Sequence, residues 1–231
     1  MLVCCGMQGN IKASNNSQSI SIKMKTLSLL LVATTIVSGA TFAAQTLYKD
    51  YPADVMPELS ESGEFPVGVT TMEVTYPEAA MTMEGKMETR GLTLEVWYPA
   101  QKATENTLYS DETRSGQVFE IQADASRDVA IAESESKFPI VVVSHGYTGY
   151  RTLMYYLGEH LASHGYVVAA IDHTDSTNKD VNFAENPYSG FPSTLLNRSR
   201  DQVFTLNAVT DSEFFNASVD ATKDGVIGYS M

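Results

Sequence analysis

The amino-acid sequence predicts an α/β fold built on a doubly wound, mostly parallel sheet. Residues 138–143 (FPIVVV) and 166–171 (YVVAAI) are short continuous apolar runs, which are typical of strands buried on both faces. Residues 150–164 predict a helix between them, because leucines recur every four residues from Leu153 and Gly165 follows as a helix-ending glycine. A strand, a helix and a strand in this order predict two parallel strands joined by a right-handed crossover.

Two earlier segments predict an N-terminal antiparallel hairpin. Residues 67–76 (VGVTTMEVTY) are rich in Val and Thr, and residues 92–98 (LTLEVWY) alternate apolar and polar side chains. The methionine-rich link between them suits a hairpin connection, and methionines there are more typical of packing than of metal ligation. Residues 101–136 are polar and acidic with little periodicity, so they predict a long surface excursion with one short strand at 118–121.

The C-terminal part predicts one more helix and one more strand. Residues 172–193 are rich in Asn, Asp, Pro and Gly and predict a loop. Residues 195–210 carry apolar side chains at helical spacing, and residues 225–228 (GVIG) predict a short strand. Because the chain stops just after this strand, we expect the sheet to be incomplete, with residues 65–231 forming the N-terminal part of the domain.

Charge and cysteine content narrow the class of protein. The sequence has 15 basic and 28 acidic residues, for a formal charge of −13. A nucleic-acid-binding protein would show a basic face, and an anionic membrane surface would repel this chain. Cys4 and Cys5 are the two cysteines of the sequence, so the downstream domain has no disulfide framework, cysteine metal site or cysteine nucleophile. Histidine and glutamate spacings typical of zinc hydrolases do not occur, so we expect no metal site.

The N-terminal region predicts export. Lys23 and Lys25 precede an apolar run at 27–37 and small residues at 38–43, which is the pattern of a secretory signal peptide over residues 24–43. The alternative is a membrane anchor, but the run is short for a bilayer span and is interrupted by threonines. We interpret residues 1–23 as an extension upstream of the true start and residues 44–64 as an irregular leader. A periplasmic or extracellular protein without a stable membrane anchor is expected.

The sequence Gly228-Tyr229-Ser230 resembles the first part of a G-x-S-x-G nucleophile elbow. In that turn serine follows a strand directly, and glycines two positions away on either side avoid steric clashes. The second glycine would be residue 232. The match is short, and a serine at an ordinary strand end is the alternative.

The segment 142–150 (VVSHGYTGY) predicts the other half of the same kind of site. An oxyanion hole in this arrangement takes one backbone N–H from the residue after the nucleophile and one from a loop after an earlier strand. His145 and Gly146 would let that loop turn tightly. The predicted donors are therefore the N–H groups of Tyr147 and Met231. A plain strand-to-helix turn at 144–146 is the alternative.

The stretch FPIVVVSHGYTGYRTLMYYLGEHLASHGYVVAAIDHTDST (138–177) resembles the platelet-activating factor acetylhydrolase group within the dienelactone-hydrolase-like α/β-hydrolases. EVWYPA (95–100), RSRDQVFTLN (198–207) and GYSM at the chain end are also similar, so the resemblance spans residues 65–231. It implies a cofactor-free serine hydrolase with a Ser-Asp-His triad that cleaves short acyl esters, in some members from phospholipids. The implied nucleophile is Ser230. Dienelactone hydrolases proper use cysteine, so serine favours the esterase branch.

In this fold the triad runs Ser, Asp, His along the chain, so both partners of Ser230 are expected beyond residue 231. By chain order, His145 belongs to the oxyanion loop, His160 and His164 to the first helix, and His173 to a position before the nucleophile. We expect all four to be structural or exposed, and the 231-residue chain by itself to be inactive. The expected partner is a small-molecule or lipid ester. A lipase or peptidase on the same scaffold, and an inactive fold that only binds, are the alternatives.

Overall fold

A computed structural model of the chain describes residues 60–113 and 115–230. The predicted N-terminal extension at 1–23 and signal peptide at 24–43 lie outside the described residues. So do residues 44–59 of the predicted leader and Met231. None of the helices within the described residues is long and apolar enough to cross a membrane.

The described residues form one seven-stranded sheet with the strand order β3-β4-β1-β2-β6-β5-β7. Two α-helices longer than one turn accompany it. The strands are β1 (Val67–Met81), β2 (Met87–Pro99), β3 (Asn106–Glu112), β4 (Val118–Arg127), β5 (Phe138–Ser144), β6 (Val167–Asp172) and β7 (Val219–Gly228). The helices are α1 (Tyr155–Ser163) and α2 (Phe191–Asp211).

The α/β fold class predicted from the sequence is confirmed. β5 pairs in parallel with both β6 and β7, and β1 and β2 form the expected antiparallel hairpin. The sheet as a whole is mixed, because β2 is antiparallel to β6 and β3 is antiparallel to β4. In the parallel part, Ser144 is in register with Ile171 on one side and Gly228 on the other, so three strands end at the same edge.

The helices cover opposite faces of the sheet, as a doubly wound arrangement requires. Side chains alternate between the faces of a strand, and β2 is buried on both. Leu94 and Val96 pack in the cluster that contains Val209 of α2. Trp97 packs in the second cluster, with Ala162 of α1. The strands at the centre of the sheet are therefore apolar on both faces, which explains their continuous hydrophobic sequences.

Within residues 101–136, the strand predicted at 118–121 is confirmed as the start of β4, but the surface excursion predicted around it was wrong. This region contains the hairpin of β3 and β4. The buried apolar side chains of β4 are those of Ile121, Ala123 and Ala125. β3 differs, because it buries Thr107 and Asp111 and exposes Leu108, so its hydrophobicity does not follow its burial. Asp111 is tolerated inside because it accepts a hydrogen bond from the Thr152 hydroxyl at 2.8 Å.

Element boundaries also differ from the predictions. The first helix begins at Tyr155 and not at residue 150, because the preceding residues form turns. The second helix begins four residues earlier than predicted, at Phe191, with Pro192 in its first turn where a missing N–H costs nothing. The last strand begins at Val219, six residues earlier than predicted. Its polar residues are accommodated because much of β7 is exposed.

Gly158 of α1 gives a test of this packing. A Cβ added at Gly158 would lie 2.5 Å from Cε3 of Trp97, whose indole N–H donates to the Tyr109 hydroxyl at 2.8 Å. Replacing glycine by alanine in a helix normally stabilises it by about 1 kcal/mol. Overpacking of a core costs roughly 1–3 kcal/mol. We expect Gly158→Ala to lower the free energy of unfolding by about 1–2 kcal/mol in urea titrations.

Gly225→Ala is the matched control, because its Cβ would meet Val141 Cγ2 at an ordinary 4.0 Å. Its effect on stability should stay within about 0.5 kcal/mol. A Gly158→Ala protein at least as stable as the wild type would contradict the described contact between α1 and β2.

Candidate functional site

The candidate site lies at the edge of the sheet where β5, β6 and β7 end. The residues that follow these strands are His145, His173 and Tyr229, and loops after parallel strands are where α/β proteins place their functional groups. Among the described residues, five non-glycine residues have a positive φ. Thr148, Asp175 and Ser230 are three of them, and each follows one of these strand ends. Such backbone conformations are sparsely populated and concentrate at functional sites.

Ser230 sits in a strained turn directly after β7. Its φ is +55°, in the left-handed region that side-chain-bearing residues rarely adopt. The preceding residue is held in place, because the Tyr229 N–H donates to the Ser144 carbonyl at 3.0 Å and so extends the pairing of β7 with β5. Ser230 is exposed. A sharp turn that presents an exposed serine at a strand end is the local geometry of a nucleophile elbow.

The loop after β5 packs directly against this turn. A Cβ added at Gly146 would lie 2.9 Å from the Ser230 Cβ and 3.1 Å from the Tyr229 carbonyl oxygen. The same Cβ would lie 3.4 Å from the Ser230 Oγ. Only a residue without a side chain fits between the loop and the serine. Gly146 therefore allows the backbone of 145–147 to approach the hydroxyl of Ser230.

The Tyr147 N–H has a defined direction. The Gly146 carbonyl accepts hydrogen bonds from the His145 ring Nδ1 at 2.6 Å and from the Gly149 N–H at 2.8 Å. In a trans peptide the C=O and the next N–H point in opposite directions, so these bonds orient the Tyr147 N–H away from them. Within the described residues, no acceptor pairs with this N–H. An oriented amide without a partner suits an oxyanion donor.

The side chain of Tyr147 forms one wall of the site together with the loop after β6. Its hydroxyl donates to the Pro187 carbonyl at 3.1 Å, and its ring meets the edge of Phe191 at a centroid distance of 5.5 Å. Gly190 is packed so tightly that an added Cβ would overlap the Asp175 carbonyl. The loop after β6 is therefore fixed against the oxyanion loop by close contacts.

A buried Ser-His-Asp chain lies behind the oxyanion loop. The Ser144 Oγ is 2.7 Å from the His173 Nε2, and the His173 Nδ1 is 2.8 Å from the Asp201 carboxylate. Asp201 also accepts from Arg90 Nε at 2.6 Å and from Arg90 Nη2 at 2.9 Å. His173 and Asp201 are fully buried, and Ser144 is 4% exposed. The connectivity is that of a catalytic triad, but no acyl group could reach Ser144 in this position.

Burial determines the protonation of these groups. Burial lowers the pKa of His145 to about 3, and it also lowers the pKa of His173. Burial acts to raise the pKa of Asp201, but the hydrogen bonds from His173 and Arg90 bring it below its usual value. At neutral pH both imidazoles are therefore uncharged and Asp201 is ionised. His173 then carries its proton on Nδ1, toward Asp201, and accepts the Ser144 hydroxyl proton on Nε2.

Comparison with known proteins finds similarity to esterases. Residues 112–190 match the family model of platelet-activating factor acetylhydrolase, isoform II, a stretch that contains the oxyanion loop but not Ser230. Platelet-activating factor acetylhydrolase of Canis lupus familiaris is 49% identical over 41 residues, 18% of this chain and 9% of that protein. Cutinase est1 of Thermobifida alba is 28% identical over 148 residues, 58% of this chain and 44% of that protein. The chain thus spans less than half the length of either relative.

A solved structure agrees with the fold. A ferulic acid esterase from Streptomyces cinnamoneus superposes with a TM-score of 0.55 at 24% identity, over 74% of this chain and 54% of that chain. The chain has the α/β-hydrolase fold. In α/β-hydrolases the nucleophile lies on a strand-to-helix turn and one oxyanion donor comes from the loop after an earlier strand, and the sequence predicts these roles for Ser230 and Tyr147.

The structure brings together most of the α/β-hydrolase residues predicted from the sequence. Ser230 and Gly146 meet at the turn, with His145 and Tyr147 in the adjoining loop. The expectation that a side chain at Gly228 would clash was wrong, because an added Cβ there would meet nothing within 4 Å. Met231, the other predicted donor, lies outside the described residues. The roles assigned to these residues stay predictions, since their proximity does not test catalysis.

Sequence reasoning missed the side chains that support the loop from behind. These are Arg90, Asp201 and Arg198, which lie far from residues 145–147 in the chain. Asp201 and Arg198 are three residues apart on α2, so both can face the loop. The sequence signal that could have indicated them is the presence of two charged residues, Arg198 and Asp201, on the inward side of the amphipathic helix α2.

The neutral His145 predicts a pH dependence of stability. An unfolded histidine has a pKa near 6.5, and His145 titrates at about 3 when folded. Between these values the unfolded state binds more protons, so the free energy of unfolding falls as the pH drops from about 6.5 toward 3, by at most about 1.4 kcal/mol per pH unit for one group. We expect His145→Gln to show a smaller loss of stability than the wild type between pH 7 and pH 5 in urea titrations.

Gly91→Ala, which changes no titratable group, is the control and should keep the wild-type pH dependence. Equal slopes for the wild type and His145→Gln would mean that His145 is not held neutral in the folded protein.

Proposed function

We propose that this α/β-hydrolase is a serine hydrolase of carboxylic esters, with Ser230 as its nucleophile. The observation that carries the proposal is the contact between two strand-end loops. Ser230 has a left-handed backbone, and its Oγ lies close to Gly146. The next amide, the Tyr147 N–H, is oriented by the hydrogen bond that the His145 ring donates to the Gly146 carbonyl. Nucleophile and oxyanion donor are thereby adjacent, as acyl transfer requires.

The reaction follows from this arrangement. The Ser230 Oγ attacks the acyl carbonyl carbon while a general base removes its proton, and the carbonyl oxygen becomes an oxyanion held by the N–H groups of Tyr147 and Met231. The same base then protonates the departing alkoxide, which leaves an acyl-serine that water hydrolyses. In this fold the base is a histidine and its partner an acid, both after the nucleophile in chain order. His173 cannot serve, because its ring is buried against Ser144 and Asp201.

The similarities support a short acyl ester as the substrate class. The family model and the mammalian relatives that match this chain are platelet-activating factor acetylhydrolases, and the bacterial relatives are cutinases. We therefore propose short acyl esters, including acetyl esters of phospholipids, without a cofactor. From the signal peptide predicted at 24–43, we propose that the enzyme acts outside the cytoplasm.

The first test is ester hydrolysis by the full-length product of the gene, purified with and without Ser230→Ala. We expect p-nitrophenyl acetate to be hydrolysed faster than long-chain esters, and Ser230→Ala to reduce kcat by at least about 10³-fold, because loss of the nucleophile leaves only binding and oxyanion stabilisation. Residues 1–231 expressed alone should show no turnover.

A fluorophosphonate probe provides the control. It should label the wild type and Ser144→Ala but not Ser230→Ala, since Ser144 is buried. A folded full-length protein that neither reacts with the probe nor hydrolyses esters would overturn the proposal and favour a binding role. Labelling lost in Ser144→Ala and kept in Ser230→Ala would reassign the nucleophile.

Gly146 provides a second test of the same site. An added Cβ would press on Ser230 and on the Tyr229 carbonyl. We expect Gly146→Ala to lower kcat by about 10²-fold, comparable with the loss of an oxyanion donor or a displacement of about 1 Å. The measurement is steady-state hydrolysis of p-nitrophenyl acetate.

Gly91→Ala is the matched variant, because its nearest contacts would lie at 4.0 Å. Its kcat should stay within about twofold of the wild type, as expected for a surface substitution. Full activity in Gly146→Ala would show that the loop and the serine do not cooperate in catalysis.

A further inference from the structure

We propose that Asp201 and His173 are positioning residues that set the direction of the Tyr147 N–H through the ring of His145. The inference rests on the proposed function, since it assigns a role to residues behind the oxyanion loop. It adds buried residues from β2, from α2 and from the loop after β6. It is carried by a series of contacts from Arg90 to the Gly146 carbonyl. Hydrogen bonds join Arg90, Asp201 and the His173 ring, and that ring meets the His145 ring edge-on at a centroid distance of 5.1 Å.

The series begins at a fully buried carboxylate. Asp201 accepts two hydrogen bonds from Arg90, at 2.6 and 2.9 Å, and one from His173 Nδ1 at 2.8 Å. Arg90 is itself 4% exposed and also donates to the Thr174 carbonyl at 2.9 Å. Three charge-assisted bonds to one carboxylate hold it in a single orientation. The His173 ring is fixed in consequence, with its Nε2 accepting from the Ser144 hydroxyl.

The next step passes from His173 to His145. The His173 backbone N–H donates to His145 Nε2 at 3.3 Å. A ring nitrogen that accepts cannot carry a proton, so the proton of the neutral His145 ring is on Nδ1. The Nδ1–H then donates to the Gly146 carbonyl at 2.6 Å. His173 thus selects the one tautomer of His145 that can hold this carbonyl.

The loop is held at the neighbouring peptide as well. Arg198 Nη1 donates to the His145 carbonyl, and its Nη2 lies 3.1 Å from the Ser176 Oγ. Side chains therefore fix two successive carbonyls of the oxyanion loop, one through Arg198 and one through His145. Since each carbonyl determines the direction of the following N–H, the amide of Tyr147 is oriented before substrate arrives.

A role in positioning differs measurably from a role in folding alone. If the series orients the Tyr147 N–H, breaking it weakens binding of the oxyanion and leaves binding of the ground-state ester unchanged. The expected signature is a fall in kcat with KM preserved. A second signature is the tautomer of His145, which is independent of activity.

The experiment uses the full-length gene product with Asp201→Asn, and with Asp111→Asn as the matched variant. Asp111 is also a buried carboxylate, and it accepts from Thr152 without bonding to residues 145–147. We expect Asp201→Asn to lower kcat on p-nitrophenyl acetate by about 10–10²-fold, the range for a displacement of up to about 1 Å, with KM within about threefold. Asp111→Asn should keep kcat within about twofold. Unchanged kcat in folded Asp201→Asn, or equal loss in both variants, would overturn the inference.

Nitrogen-15 NMR of histidine-labelled wild-type protein at pH 7 tests the inference without a variant. The expected result is that His145 and His173 are both neutral with the proton on Nδ1. A proton on Nε2 of His145, or a charged ring, would overturn it even if Asp201→Asn cannot be folded. If the wild type hydrolyses no ester, the proposed function fails, and the tautomers still decide whether the series of contacts exists.

Discussion

The candidate site depends on the backbone and side chain of Ser144, at the end of β5. Its carbonyl accepts the Tyr229 N–H, which holds the turn before Ser230, and its hydroxyl binds the His173 ring, which lies behind the oxyanion loop. One residue thus connects the proposed nucleophile with the loop that would stabilise the developing charge. Because β5, β6 and β7 end in register, both connections are short. The sheet therefore brings the turn at Ser230 and the loop after β5 together, and the polar contacts orient their backbones.

Buried charge is concentrated around the same edge of the sheet. Asp201 pairs with Arg90, and Glu95, which is 1% exposed, pairs with Arg127 at 2.7 Å and with Arg151 at 3.0 Å. Arg151 also binds Asp172, at the end of β6. Ion pairs in an interior add little net stability, because removing two charges from water offsets their attraction. Here these ion pairs act mainly by fixing the positions of strand ends and loops.

The extent to which the sequence predicted the fold follows from how each strand is buried. β5 and β6 are covered on both faces, so their sequences are apolar throughout and their pairing could be predicted. β3 buries Thr107 and Asp111 and exposes Leu108, so its sequence shows no hydrophobic alternation that would predict a strand. The tight approach of α1 to Trp97 at Gly158 likewise had no sequence signal, because it depends on the tertiary partner.

The residues of the candidate site also fall into two groups, those that the local sequence predicts and those that depend on tertiary contacts. Ser230, Gly146 and Tyr147 were predicted because the loops that contain them carry short sequence motifs that are typical of nucleophile elbows and oxyanion holes. Arg90 and Asp201 are 111 residues apart, and nothing in the sequence near either residue shows that they meet.

His173 was expected to be structural because it precedes the proposed nucleophile in the chain, and its ring is buried and hydrogen-bonded to Ser144 and Asp201. A histidine that accepts from a serine and donates to a buried aspartate has the connectivity of a triad. Exposure separates the two serines, since Ser144 is buried and Ser230 is exposed. Accessibility, more than hydrogen-bond pattern, therefore decides which serine can meet an ester.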